Sequence, residues 1–206
     1  MIRKILPAPL DTKYKIIFYE EGSLAKAVAS EVVGQNQITV WDIMIPLLFL
    51  YNLLKFKRAR EAFALNFIFT KKLALEAALD MLKKGQTRQD ALNQIEDKTS
   101  NILASDKKGI YADKIRQSQM KEIDLLIDHY CNLLNAEGDD YPSLVKSAYQ
   151  TQNNYATFLH QLKQAEKEVN RAALQTVGKR RAAHEIVSTM EKAAQRMRIA
   201  EAEKIF

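Results

Sequence analysis

The chain predicts an all-α fold: a bundle of long helices whose C-terminal third is coiled-coil-like. Helix breakers are scarce, with six Gly and four Pro in 206 residues, and past Pro46 the one remaining proline is Pro142. Apolar residues recur at three- and four-residue spacing over most of the length. No run alternates apolar with polar between hairpin-turn residues, as strands would. A hydrophobic content of 47% against 27% charged is enough to bury a core, which sets global disorder aside.

The elements follow in order. Met1 to Leu10 carries Arg3 and Lys4 but meets Pro7 and Pro9 before any apolar run of signal-peptide length, so an uncleaved cytoplasmic protein is expected. Ile16, Ile17, Leu24, Val28 and Val32 give Lys13 to Val33 one apolar side, and Gly34 followed by Gln35-Asn36-Gln37 ends that helix. Thr39 with Asp42 resembles a capping box for the next helix, and Pro46 kinks it or marks its true start. Leu47 to Lys84 holds no Gly or Pro and reads as one helix about 55 Å long at about 1.5 Å per residue. Its polar stripe is Lys72, Glu76, Asp80 and Lys83 or Lys84, and Gly85 follows as a stop. Thr87 and Asp90 make a second capping box for a helix through Ala91, Ile95 and Ile102, which the turn Asp106-Lys107-Lys108-Gly109 closes. Ile110 to Asn135 is a long helix through Ile115, Ile123, Leu126, Ile127 and Tyr130. Asp139 to Pro142 then opens another, with proline near its first turn.

In the last third Tyr155, Leu162 and Val169 recur every seven residues, with Phe158 three residues after the first. Beyond Gly178 the alternation continues through Ile186, Met190 and Met197. These residues read as an assembly seam. The expected organisation is a helical domain over 1–140 and a long helix or helical hairpin for assembly over 141–206. Gly178 leaves open whether the helix breaks.

The chain offers little chemistry. His129, His160 and His184 are preceded at three residues by Leu126, Thr157 and Arg181, so the paired Glu-x-x-His motifs of a di-iron bundle are absent. No Gly-rich phosphate loop and no nucleophile motif occurs. The expectation is therefore a non-enzymatic protein with no cofactor and no metal. Cys131, the single cysteine, excludes an internal disulfide and reads as a small buried hydrophobe.

One segment stands out. Ile43 to Leu54 is apolar but for Asn52, a basic collar follows (Lys55, Lys57, Arg58, Arg60), and Ala62 to Phe69 is apolar again. The collar residues point in different directions around a helix, which suits water or lipid headgroups better than a single groove. Ile38 to Leu54 is 17 residues with Asp42, Asn52 and Pro46 inside it, a poor membrane span. Trp41, Phe49, Leu50, Lys55, Phe56, Lys57, Arg58, Arg60 and Phe63 are thus the candidate membrane- or partner-binding residues. Residues 35–85 carry eight Lys and Arg against four Asp and Glu, whereas 86–140 carry seven against eleven.

The run Phe63-Ala64-Leu65-Asn66-Phe67-Ile68-Phe69-Thr70-Lys71-Lys72, with Asp128-His129-Tyr130 and Ala165-Glu166-Lys167-Glu168-Val169, resembles an uncharacterised family of bacterial all-helical proteins. The resemblance implies a bacterial cytoplasmic origin and brings no activity or site residues.

The expected function is an adaptor or scaffold attached through residues 41–69 to a membrane face, the inner one for a cytoplasmic protein, or to a membrane complex. Two alternatives stand beside it. One is a soluble homo-oligomer using the same segment as its subunit interface. The other is a sequence-independent nucleic-acid binder using Lys179, Arg180, Arg181, Arg196 and Arg198; nucleic acid is the least supported partner, because nothing aromatic is interleaved with these cations.

Overall fold

The structure, a computed structural model, describes residues 8–34, 59–105, 112–177 and 181–206. Among these the chain forms eight helices and no strand: α1 (Leu10–Gly34), α2 (Ala59–Phe67), α3 (Phe69–Lys84), α4 (Arg88–Ser105), α5 (Asp113–Asn135), α6 (Tyr141–Tyr149), α7 (Gln152–Val177) and α8 (Arg181–Ile205). The all-α prediction is met. No helix among the described residues is long and apolar enough to cross a membrane. Trp41, Phe49, Leu50, Lys55, Phe56, Lys57 and Arg58 lie outside the described residues, as do Thr39, Asp42, Pro46, the Asp106–Gly109 turn, Gly178, Lys179 and Arg180.

Helix α5 is the hub. Its apolar residues wrap most of its girth, and Ile115, Ile123, Leu126, Ile127, Tyr130, Leu133 and Leu134 are all buried. It packs between α3 on one side and α7 on the other. Helix α8 packs on α7 and on α1, and α1 returns to α3, closing a ring of five long helices. Each fully buried Leu or Ile contributes roughly 1.5–3 kcal/mol. The pairs that meet fix the directions. Glu166 meets Arg198 and Asn170 meets Glu191, so α7 and α8 form an antiparallel hairpin. Lys13 on α1 reaches the end of α5, donating from Nζ to the carbonyls of Leu134 (3.1 Å) and Ala136 (2.6 Å). A buried lysine there meets carbonyls that the helix itself leaves without partners and the negative end of its dipole.

Several local signals act as the sequence requires. Gly85 takes the left-handed conformation (φ 66°) and its N–H donates to Met81 O. The Asp90 N–H donates to Thr87 Oγ1 at 3.1 Å. Asp140 caps α6, its side chain accepting from the Ser143 N–H at 2.8 Å while Ser143 Oγ accepts from the Asp140 N–H.

Two expectations are corrected. The unbroken helix expected through residue 84 is interrupted at Ile68, which separates α2 from α3. Backbone bonding continues across it (Ile68 N–H to Ala64 O, Lys72 N–H to Ile68 O), so the chain does not reverse there. Packing supplies the reason: Phe63, Phe67 and Ile68 belong to an apolar cluster with Ala25, Val28, Ile186 and Met190, whereas Leu73 to Ala78 belong to the cluster around α5. The interruption falls where the chain passes from one cluster to the other. The division at residue 140 also fails, because Tyr155, Phe158, Leu162 and Ile205 share a core with Ile17, Leu75 and Leu126. The C-terminal hairpin completes that core.

Gly138 precedes α6 with φ 148°, and a Cβ there would fall on Ser143 Oγ and stand 2.8 Å from Ser143 Cβ. Gly138→Ala should therefore strain the backbone and displace the capping box, lowering stability by about 1–3 kcal/mol. Urea unfolding should show a lower midpoint at unchanged slope.

Candidate functional site

The placement of the candidate residues is mixed. Arg60 is exposed in the first turn of α2. Phe63, one turn on, is 1% exposed and packs against α1 and α8, so in this arrangement it is core and cannot touch a membrane or partner. The seam residues also turn inward. Tyr155, Phe158 and Leu162 face α5, Val169 packs with Ile115, and Ile186 and Met190 pack with α1 and α2, with Met197 half-buried beside them. Their heptad spacing reports contact with the chain's own helices; in this arrangement they are not open to another subunit.

The phosphate-binding reading loses two of its cations. Arg196 pairs with Glu31, and Arg198 is buried. Exposed Arg181 pairs with Glu185 one turn along its own helix. Asp124 and Asp128 are not simply solvated, since Arg88 from α4 bridges both.

Within this largely apolar interior lies one charged cluster. Lys71 (α3), Glu122 (α5), Glu166 (α7) and Arg198 (α8) meet there, one residue from each of four helices. The Lys71 ammonium is 3.0 Å from Glu166 and 3.9 Å from Glu122. Arg198 binds Glu166 with both guanidinium branches, each at 2.7 Å. Thr70 donates its hydroxyl to Glu122 at 2.9 Å, and the Lys71 ammonium stands 4.5 Å above the Phe67 ring. Two cations and two carboxylates balance. Removing them from water costs several kcal/mol per ion, and only mutual pairing and complete hydrogen bonding offset that.

The two carboxyls differ in character. Burial works to raise both. At Glu166 the Arg198 and Lys71 charges overcome it and hold the carboxyl down at about 2. At Glu122 burial prevails over Lys71, with Glu166 adding repulsion, and its pKa is raised. Burial likewise opposes the charge on Arg198, but Glu166 more than restores it, so that pKa rises.

Beside the quartet lies a buried aromatic layer. The His129 ring stacks on Phe158 at 4.1 Å, and its Nδ1 is 2.6 Å from the Tyr149 hydroxyl. Burial first, then the Arg198 charge, lowers its pKa to about 3, so it is neutral at physiological pH. The Tyr130 hydroxyl donates to Glu21 at 2.8 Å. Glu201 is raised to about 7, by burial and then by Glu21 and Glu20. The Cys131 thiol is pushed up by burial and by Asp128, which favours the inert thiol over the thiolate. No cluster of His, Cys, Asp or Glu among the described residues could hold a metal ion.

Above the Glu166–Arg198 pair a cleft of about 500 Å³ opens between α7 and α8, lined mostly by apolar surface. Sequence reading missed both features. The signal for the quartet was present, since Lys71 sits one position off the polar stripe of its helix, on the side of Ala74, Leu75 and Ala78. Its partners, 51 to 127 residues further on, looked like ordinary surface charges.

Comparison with family models, with curated proteins and with solved structures finds no match for this chain. The functional reading therefore rests on its own residues.

The pKa shifts set a two-sided pH profile. The stability from Glu166 is full above its unfolded value, near 4.5, and is lost as pH falls toward 2. Glu201 has the opposite sign: its contribution is greatest below 4.5 and declines as pH rises through about 7. Denaturant unfolding across pH should show Glu201→Gln flattening the neutral side. Glu166→Gln should flatten the acid side and lower the plateau by about 3–5 kcal/mol, because Arg198 is left buried beside a neutral amide.

Proposed function

We propose that this protein is a non-enzymatic helical adaptor, cytoplasmic, that attaches to the anionic face of a membrane through the segment around residues 41–60. One observation carries the reading. Val33, at the end of α1, and Ala59, at the start of α2, pack on the same apolar cluster. The intervening chain, with its apolar block Ile43 to Leu54 and its collar Lys55, Lys57, Arg58 and Arg60, thus leaves and re-enters the bundle at one place. Phe63, Phe67 and Ile68 are withdrawn into the core, which trims the proposed contact to the residues before them.

Chemistry and charge support this choice. The buried histidine is held neutral and the cysteine is held as a thiol, so neither is poised as a base or nucleophile. Four cations beside an apolar block fit a headgroup layer, where each contributes about 1 kcal/mol. That sum corresponds to an affinity change of up to about a thousandfold.

Flotation with vesicles tests it. The full chain should rise with anionic vesicles and not with neutral ones, lose binding as salt is raised, and fail to rise when Lys55, Lys57, Arg58 and Arg60 are changed to Gln. A chain that ignores anionic vesicles and scatters light as a stable oligomer, split by Leu50→Asp, would replace this reading with a subunit interface. Salt-steep binding to any duplex without vesicle binding would replace it with nucleic-acid recognition.

A further inference from the structure

A small cavity of about 40 Å³ lies against the charged cluster, where α2 and α3 face α5, α7 and α8. Glu122 and Glu166 line it, as do Asn170 and Glu191. From α2 it receives Asn66. That residue is 6% exposed, and neither its Nδ2 nor its Oδ1 has a hydrogen-bond partner among the described residues. Turning the amide end for end would leave both atoms unpaired all the same. A buried primary amide without partners is costly, and folded interiors satisfy such groups with protein atoms or with ordered water.

Three properties of the cavity select its guest. The guest must both donate and accept, because Oδ1 needs a donor and Nδ2 needs an acceptor. It must be uncharged. A cation would bond Oδ1, oppose the Nδ2 hydrogens and stand near the Lys71 ammonium; a halide would bond Nδ2, oppose Oδ1 and meet the carboxylates of Glu122, Glu166 and Glu191. Nor are the His, Cys, Asp and Glu side chains among the described residues grouped so as to hold a metal ion. Finally the guest must be small. A water takes up about 30 Å³ in the liquid, so the space suits one or two of them.

We infer that this cavity is a water-binding site, in which one or two ordered waters accept from Asn66 Nδ2, donate to Asn66 Oδ1 and bridge the amide to the carboxylates of the charged cluster. Those carboxylates have capacity to spare. Glu122 Oε1 accepts from Thr70, and an ionised carboxylate offers about four lone-pair sites. The bridge extends the cluster to a fifth helix, since Lys71, Glu122, Glu166 and Arg198 stand on α3, α5, α7 and α8 and Asn66 stands on α2.

Proton NMR of the full chain tests the inference through the methyl groups of Val169, Met190 and Ala194, which line the cavity and carry no exchangeable proton. Each should show a nuclear Overhauser effect to water, with the sign of a molecule that tumbles with the protein. Asn66→Leu removes both amide atoms and puts a larger apolar side chain into the cavity, so all three effects should vanish. The Thr70 hydroxyl and the Lys71 ammonium exchange protons with water and could relay such an effect, but both remain in the variant. Effects that survive the substitution would trace to them and overturn the inference. Methyl groups that show no such effect in the parent chain would overturn it as well, and that measurement needs no variant to fold. Residues 41–60 enter neither arm, so the outcome is independent of vesicle flotation.

Discussion

Four charges that meet where four helices converge constrain everything around them. Lys71, Glu122, Glu166 and Arg198 come from four different helices, and each is stable there only while the others are in place. Apolar surfaces alone tolerate sliding by a turn at modest cost. A bidentate guanidinium–carboxylate pair does not, because a slip of one residue swings a charge away from its partner. The quartet therefore sets the register of α3, α5, α7 and α8, and the apolar residues on either side supply the bulk of the stabilisation.

That arrangement also explains where open surface remains. The α7–α8 hairpin turns its heptad residues toward α5 and α1, and its outer side becomes the cleft, floored by the Glu166–Arg198 pair. The proposed membrane contact begins from the apolar cluster that joins α1, α2 and the first half of α8. The two lie along different halves of α8: Ile186 and Met190 in one, Ile199 and Ala202 in the other.

Much of the fold could be read from local chemistry. The helix stop at Gly85, the capping residue Thr87 and the proline-opened α6 all act within a few residues, and each appears where its residue types place it. The interruption at Ile68 could not be read, because neither Gly nor Pro marks it and it falls between two clusters built from distant parts of the chain. The heptad in the last third marks a buried stripe, and the chain's own helices cover it. Periodicity gives the face a helix hides but not the identity of what hides it. The quartet was invisible for the same reason, since Glu122, Glu166 and Arg198 each sit among other charges in sequence and reveal burial only once four helices converge.

A double-mutant cycle across the central pair tests the account most directly. Glu166→Leu and Arg198→Leu should each destabilise by several kcal/mol, since each strands a buried charge. The combined variant should recover most of that loss, giving a coupling energy above about 2 kcal/mol. Glu166→Leu also removes the 3.0 Å contact of Lys71 with Glu166, but it does so in the single and the double variant alike, so that loss cancels in the coupling energy. Small, additive losses would mean that these helices are held in register by apolar packing alone, and the account would fall.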